Sequence, residues 1–167
     1  KFEVRQEGNT LLIKGPLGEL SRDFKSEIEI TIGDKTITLK PKSETIFLNA
    51  LWGTYAAHIK NMIQGVTEGF KKVLILEGIG YKVEVAGESL NMSLGLSHPV
   101  KVSIPSELKV TAEKGVITVS GCNRELVGEF TARVRALKVP EPYKGKGIRY
   151  QDEVVARKQG KKAVTAA

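Results

Sequence analysis

The residues best placed to do chemistry stand near the end of the chain, in Glu141-Pro142-Tyr143-Lys144-Gly145-Lys146-Gly147-Ile148-Arg149-Tyr150, followed by Arg157-Lys158 and Lys161-Lys162. Cations alternate with glycines, and two tyrosines bracket the set. Lysine and arginine neutralise phosphates, arginine through a planar fork of donors. Glycine lets a backbone approach a bulky partner. A tyrosine offers a flat face to an unpaired base and a hydroxyl to phosphate or ribose. The chemistry is recognition of a polyanion. Tyr150 has a second reading, as a ring that pins the segment to the folded body.

Reaction chemistry finds little support. Gly78-Ile79-Gly80 opens like a dinucleotide fingerprint, but Val83 stands where the third glycine belongs and a strand follows. Gly145-Lys146-Gly147 lacks the earlier glycine and the Ser/Thr of a phosphate loop. Ser97-His98 puts a hydroxyl beside an imidazole with no acidic group to orient it, and Asp152-Glu153 sits in a basic tail, where it balances charge. His58 and His98 are far apart, and Cys122 is the only cysteine, a small buried or half-buried residue that forms no intrachain disulfide. No catalytic residue, metal site or cofactor is expected.

Charge placement supports recognition. The chain has 167 residues and a formal net charge of +7. Residues 138–167 carry eight Lys/Arg and three acids, which leaves 18 cations and 16 anions for the rest. A basic end on a nearly balanced body is an electrostatic footprint for a polyanion, or a solvated tail that maintains solubility. Arg124, Arg133, Arg135 and Lys138 add cations to the preceding helix, as RNA contacts or as a solvated face. An apolar content of 41% suffices for a core, and no apolar run has the length of a membrane span. No secretory segment opens the chain, and its start at Lys1 suggests a missing or processed N-terminal piece.

The elements that must hold this surface follow from periodicity. Residues 2–14 read as a hairpin turning at Gly8-Asn9, broken by Gly15 to Gly18. Glu27 to Ile32 and Thr36 to Leu39 read as strands joined by Gly33-Asp34-Lys35 and closed by Pro41. A helix follows, with Ser43 as N-cap, Glu44 in its first turn, Gly65 just after its last turn, and Leu48, Leu51, Tyr55, Ile59 and Ile63 facing the sheet. Trp52 and Met62 flank that stripe. Phe70 to Leu76 is a strand, interrupted at Gly78-Ile79-Gly80 by a bulge or bend. Further strands cover Tyr81–Val85, Leu90–Leu94, Val100–Ile104, and Leu108–Val110 turning at Lys114-Gly115 into Val116–Val119. A second helix starts near Asn123, with Leu126, Phe130, Val134 and Leu137 on one face.

The halves repeat. GNTLLI at 8–13 resembles GESLNM at 87–92, and DKTITL at 34–39 resembles KGVITV at 114–119. A fixed offset marks a duplication. The expected fold is α+β, with two tandem similar domains (1–70 and 71–140). Each is an antiparallel sheet with one helix packed on one face. A basic C-terminal extension, 141–167, joins the second domain. Truncation after Pro140 is expected to leave both domains folded.

The decapeptide EPYKGKGIRY closely resembles the C-terminal signature of the bacterial-type large-subunit ribosomal protein six family. KGPLGEL at 14–20, Asn61-Met62 through Gly65-Val66, GIGY at 78–81, GLSHPV at 95–100, Val127-Gly128 and Arg133 to Ala136 extend the resemblance over essentially the whole chain. It implies two similar α+β domains and no enzymatic activity. It also implies binding of large-subunit ribosomal RNA near the sarcin–ricin loop and stalk base, within the cytoplasmic ribosome. Implied partners are neighbouring ribosomal proteins, with translation factors nearby and no membrane. Implied RNA contacts are Tyr143, Lys144, Gly145, Lys146, Gly147, Arg149, Tyr150, Arg157, Lys158, Lys161 and Lys162. Two features depart from the family: its opening segment before the first strand is missing, and Trp52 stands where relatives often carry histidine. A nucleic-acid-processing enzyme and a module for an acidic protein partner are the rival readings.

Overall fold

The computed structural model describes residues 2–33, 36–43 and 45–161. The expected contributions of Asp34, Lys35, Glu44 and Lys162 lie outside the described residues. The chain divides into two compact units, one of residues 1–70 with 121–124, the other of residues 71–120 with 125–167.

In the first unit, β1 (Glu3–Glu7), β2 (Thr10–Gly15) and β3 (Gly18–Asp23) form one antiparallel sheet, and β4 (Ile28–Ile32) pairs with β5 (Ile37–Pro41) in another. The helix α1 (Ile46–Thr67) packs on β2, β3 and β5. Alternation puts Leu11 and Ile13 on the inner face, where both are fully buried with Phe24, Ile28, Tyr55, Ile59, Met62 and Val66. Each such side chain contributes roughly 1.5–3 kcal/mol on burial. Leu51 and Ile63 of the expected stripe pack at its margin, while Met62 belongs to the centre. β3 was not expected. Gly18 to Asp23 has one aliphatic residue, Leu20, so its period-two signal is faint.

The helix ends also differ from expectation. Thr45, not Ser43, is the N-cap: its extended backbone and Oγ1 suit it to accept from the amide of Leu48, at 3.3 Å. Gly65 lies inside the helix. A Cβ there would stand 2.0 Å from the carbonyl oxygen of Cys122, so the glycine permits close packing of the 121–124 segment. The terminating glycine is Gly69, with φ +77° and its amide donated to Gln64. Trp52 donates Nε1–H to the carbonyl of Leu39 at 3.1 Å, which gives it a structural role on β5.

In the second unit, β7 (Lys82–Ala86), β8 (Ser89–Ser93) and β9 (Val100–Ser103) form a three-stranded sheet. A four-stranded sheet runs β10 (Leu108–Glu113), β11 (Val116–Gly121), β6 (Phe70–Glu77), β12 (Gly147–Tyr150). β6 and β7 lie in different sheets, so Gly78-Ile79-Gly80 is a connection between sheets, not a bulge within one strand. The helix α2 (Arg124–Ala136) buries Val127, Phe130, Thr131 and Val134, with Leu126 and Leu137 only half-buried.

The duplication extends to single hydrogen bonds. Gly8 and Gly87 turn their hairpins with φ of +62° and +58°. Beyond them Leu11 and Ile13 correspond to the equally buried Leu90 and Met92. Phe24 donates its amide to Asn9 at 2.8 Å, and Ile104 donates to Glu88 at 2.8 Å. Strands of each unit fall into two sheets rather than one. β12 lies outside the repeated pattern, and it is built from the basic decapeptide.

Candidate nucleic-acid interface

The decapeptide is not an appendage. β12 pairs antiparallel with β6, with Ile148 opposite Leu76 and Tyr150 opposite Leu74. Ile148 is fully buried. Only one aliphatic residue enters the core, which is why periodicity gave no sign of a strand. Gly147 is required by space and by backbone. Its φ is +149°, and a Cβ would lie 2.7 Å from Cα of Pro140. The segment therefore folds as the outer strand of the sheet, and the loop before it is held at both ends.

That loop closes on itself. Glu141 donates its amide to Lys146 at 2.9 Å, Gly145 donates to Glu141 at 3.1 Å, and Ile148 donates to Lys138 at 2.8 Å. Lys144 and Tyr143 project from it exposed, Lys146 half-exposed. Beyond β12 the described tail residues, 151–161, have no regular structure, yet they are fastened. Gln151 donates to Val73 at 3.0 Å, and Lys158 donates to Pro142 at 2.7 Å. Gly145 is buried beneath Arg157; a Cβ there would meet the guanidinium Nε at 2.8 Å. Cations separated by more than ten residues in sequence thus share one surface: Lys144 and Lys146 from the loop, Arg157 and Lys158 from the tail. Lys161 follows, exposed.

The charges divide into two groups. Arg149 places Nη2 2.8 Å from Oε1 of Glu77, and its Nη1 points at the carbonyls of Tyr150 and Gln151. Arg135 donates Nε–H to Oε2 of Glu153 at 2.9 Å and pairs its Nη2 with the other oxygen. Arg133 pairs with Glu129 one helical turn away. Arg124 differs from these three: it donates to the neutral amide oxygen of Asn61 at 2.8 Å, which orients it without compensating its charge. By contrast, no ion pair is recorded among the described residues for Lys144, Lys146, Arg157, Lys158 or Lys161. Charge left uncompensated inside the fold is what attracts an external polyanion.

The Arg135–Glu153 pair fixes the start of the tail. The charge-assisted hydrogen bond from Arg135 holds the Glu153 carboxyl below the usual carboxylate range, helped by the amide of Tyr150. The same bond holds the guanidinium above its ordinary value. The Tyr150 ring is half-buried, with Lys72 Nζ 5.7 Å and Arg135 Cζ 5.8 Å from its centroid. This favours the pinning reading of Tyr150 over stacking on a base. Lys72 escaped the sequence reading because nothing local links it to a residue 78 positions later. Only the pairing of β6 with β12 does so.

Among the described residues, no group of three or more His, Cys, Asp and Glu could hold a metal ion. No described helix is long and apolar enough to cross a membrane. Fold and surface together define a class: a duplicated α+β scaffold that presents uncompensated cations on a sheet-anchored loop and tail. The family model described as Ribosomal protein L6 matches residues 1–69 and 77–151. The chain is 44% identical over 165 residues to the large ribosomal subunit protein uL6 of Chlamydia felis, which covers 98% of this chain and 90% of that one. It is 47% identical over 158 residues to the uL6 of Bacillus cereus, covering 94% and 88%. The chain belongs to the ribosomal protein L6 family, whose members are structural constituents rather than enzymes.

Proposed function

We propose that this chain is a structural constituent of the large ribosomal subunit that binds 23S-type ribosomal RNA near the sarcin–ricin loop and stalk base and so supports translation. Its neighbours there are other ribosomal proteins of the stalk base, with translation factors docking nearby. The observation that carries the reading is the group of cations with no acid partner among the described residues, held in place by β12 and by the Lys158–Pro142 hydrogen bond. Phosphate contacts from such cations give affinity and register rather than sequence information.

The named residues divide by role. Tyr143, Lys144, Lys146, Arg157, Lys158, Lys161 and Lys162 face RNA. Gly145, Gly147, Arg149 and Tyr150 place them, through close packing, the Glu77 ion pair and the cation-flanked ring. Residues 1–70 and 71–140 act as the repeated body and 141–167 as the RNA-facing part, even though its strand completes the second unit's sheet.

A photo-crosslinker placed at Lys144 or at Lys158 of protein assembled into large subunits tests the location. Both positions should crosslink to the sarcin–ricin loop or to adjoining stalk-base RNA. Crosslinks confined to protein, or to RNA elsewhere in the subunit, would refute it.

A further inference from the structure

We infer that Lys72 is a further RNA-contacting residue, an outlying part of the same cationic surface; the inference rests on the proposed RNA-binding role. Three observations support it. Lys72 lies on β6 two residues beyond Leu74, which pairs with the last residue of β12, so no strand covers it on that side. Its side chain is exposed, and its Nζ stands over the Tyr150 ring. No acid is recorded as its partner among the described residues, whereas Arg135, against the same ring, is neutralised by Glu153.

A ring orients a cation without cancelling its charge. Lys72 therefore keeps its full charge in a direction set by Tyr150. Tyr150 in turn is fixed by β12 and by the carboxylate of Glu153, which accepts its amide at 3.1 Å. The surface then has a loop-and-tail part and a β6 part, and the tyrosine links the two.

The test is binding of the full chain to a transcript of large-subunit ribosomal RNA containing the sarcin–ricin stem-loop, measured across a salt series. Lys72→Gln should weaken binding at least threefold and lower the salt slope by about one, as loss of one phosphate contact does. Lys72→Arg should retain wild-type affinity. Lys109→Gln, on β10 at the opposite edge of the sheet from β12, should change neither quantity. An unchanged thermal midpoint for Lys72→Gln assigns its loss to contact rather than to folding. If Lys72→Gln behaves like Lys109→Gln while Lys144→Gln weakens binding, this inference is overturned and the RNA-binding role stands. If the wild-type chain does not bind the transcript, the role itself fails and the inference fails with it.

Discussion

Lys158 donates its backbone amide to the carbonyl of Pro142 at 2.7 Å, and this bond brings two separate basic runs onto one surface. Without it, Lys144 and Lys146 would belong to a loop and Arg157 and Lys158 to a free tail. Ordering the tail within the fold removes part of the entropy that a disordered tail would lose on binding.

The strand that anchors the loop should be sensitive to added bulk. Gly147→Ala sets a Cβ against the backbone of Pro140, which cannot yield as a flexible side chain would, and it strains a backbone at φ +149°. We expect a loss of at least about 2 kcal/mol in urea unfolding. Wild-type stability in the variant would show that β12 is not held as described.

Removing the extension should damage the second unit. The sequence suggests that truncation after Pro140 spares both domains, yet Ile148 is fully buried against the sheet and β12 covers the edge of β6. Ile148→Ala should cost about 2–4 kcal/mol. A chain ending at Pro140 should lose hydrogen-exchange protection at Ile75 and Glu77, the β6 residues that the antiparallel alternation turns toward β12, with Leu11 and Ile13 unaffected. Full protection throughout would restore the simpler picture of a dispensable tail.

What could be read from the chain depended on how local the signal was. The Gly8 and Gly87 hairpins were legible because turn glycines and alternating Leu11, Ile13, Leu90 and Met92 lie within a few residues of each other. Gly65 was misread because a packing glycine and a capping glycine look alike near the end of a helical pattern; the carbonyl of Cys122 that decides between them is distant in sequence. β12 was hidden for the same reason, since its partner strand lies some seventy residues earlier and Ile148 alone enters the core. The basic residues of the interface could be found by type. Which of them are compensated could not: Glu77 and Glu153 meet their arginines only in the folded chain.

The Arg135–Glu153 pair makes a prediction about acid. The Glu153 carboxyl is lowered in the fold, so the stability it contributes is fully present above the ordinary carboxylate pKa of about 4.3 and is lost as pH falls through its lowered value. Arg135 stays charged throughout this range. Glu153→Gln should therefore cost about 1–2 kcal/mol near neutral pH. The gap from wild type should close progressively on acidification below about pH 4. A gap that stays constant with pH, measured by chemical unfolding, would exclude the ion pair as its source.

We propose that the cations left without an acid partner among the described residues carry the binding of ribosomal RNA. The most direct measurement is the salt dependence of affinity for the sarcin–ricin-containing transcript, comparing the wild-type chain with Lys144→Gln/Lys146→Gln/Arg157→Gln/Lys158→Gln. We predict a steep slope for the wild type and a slope shallower by about three to four in the quadruple variant, at unchanged fold. Equal slopes and affinities for the two proteins would show that these four cations do not carry the binding.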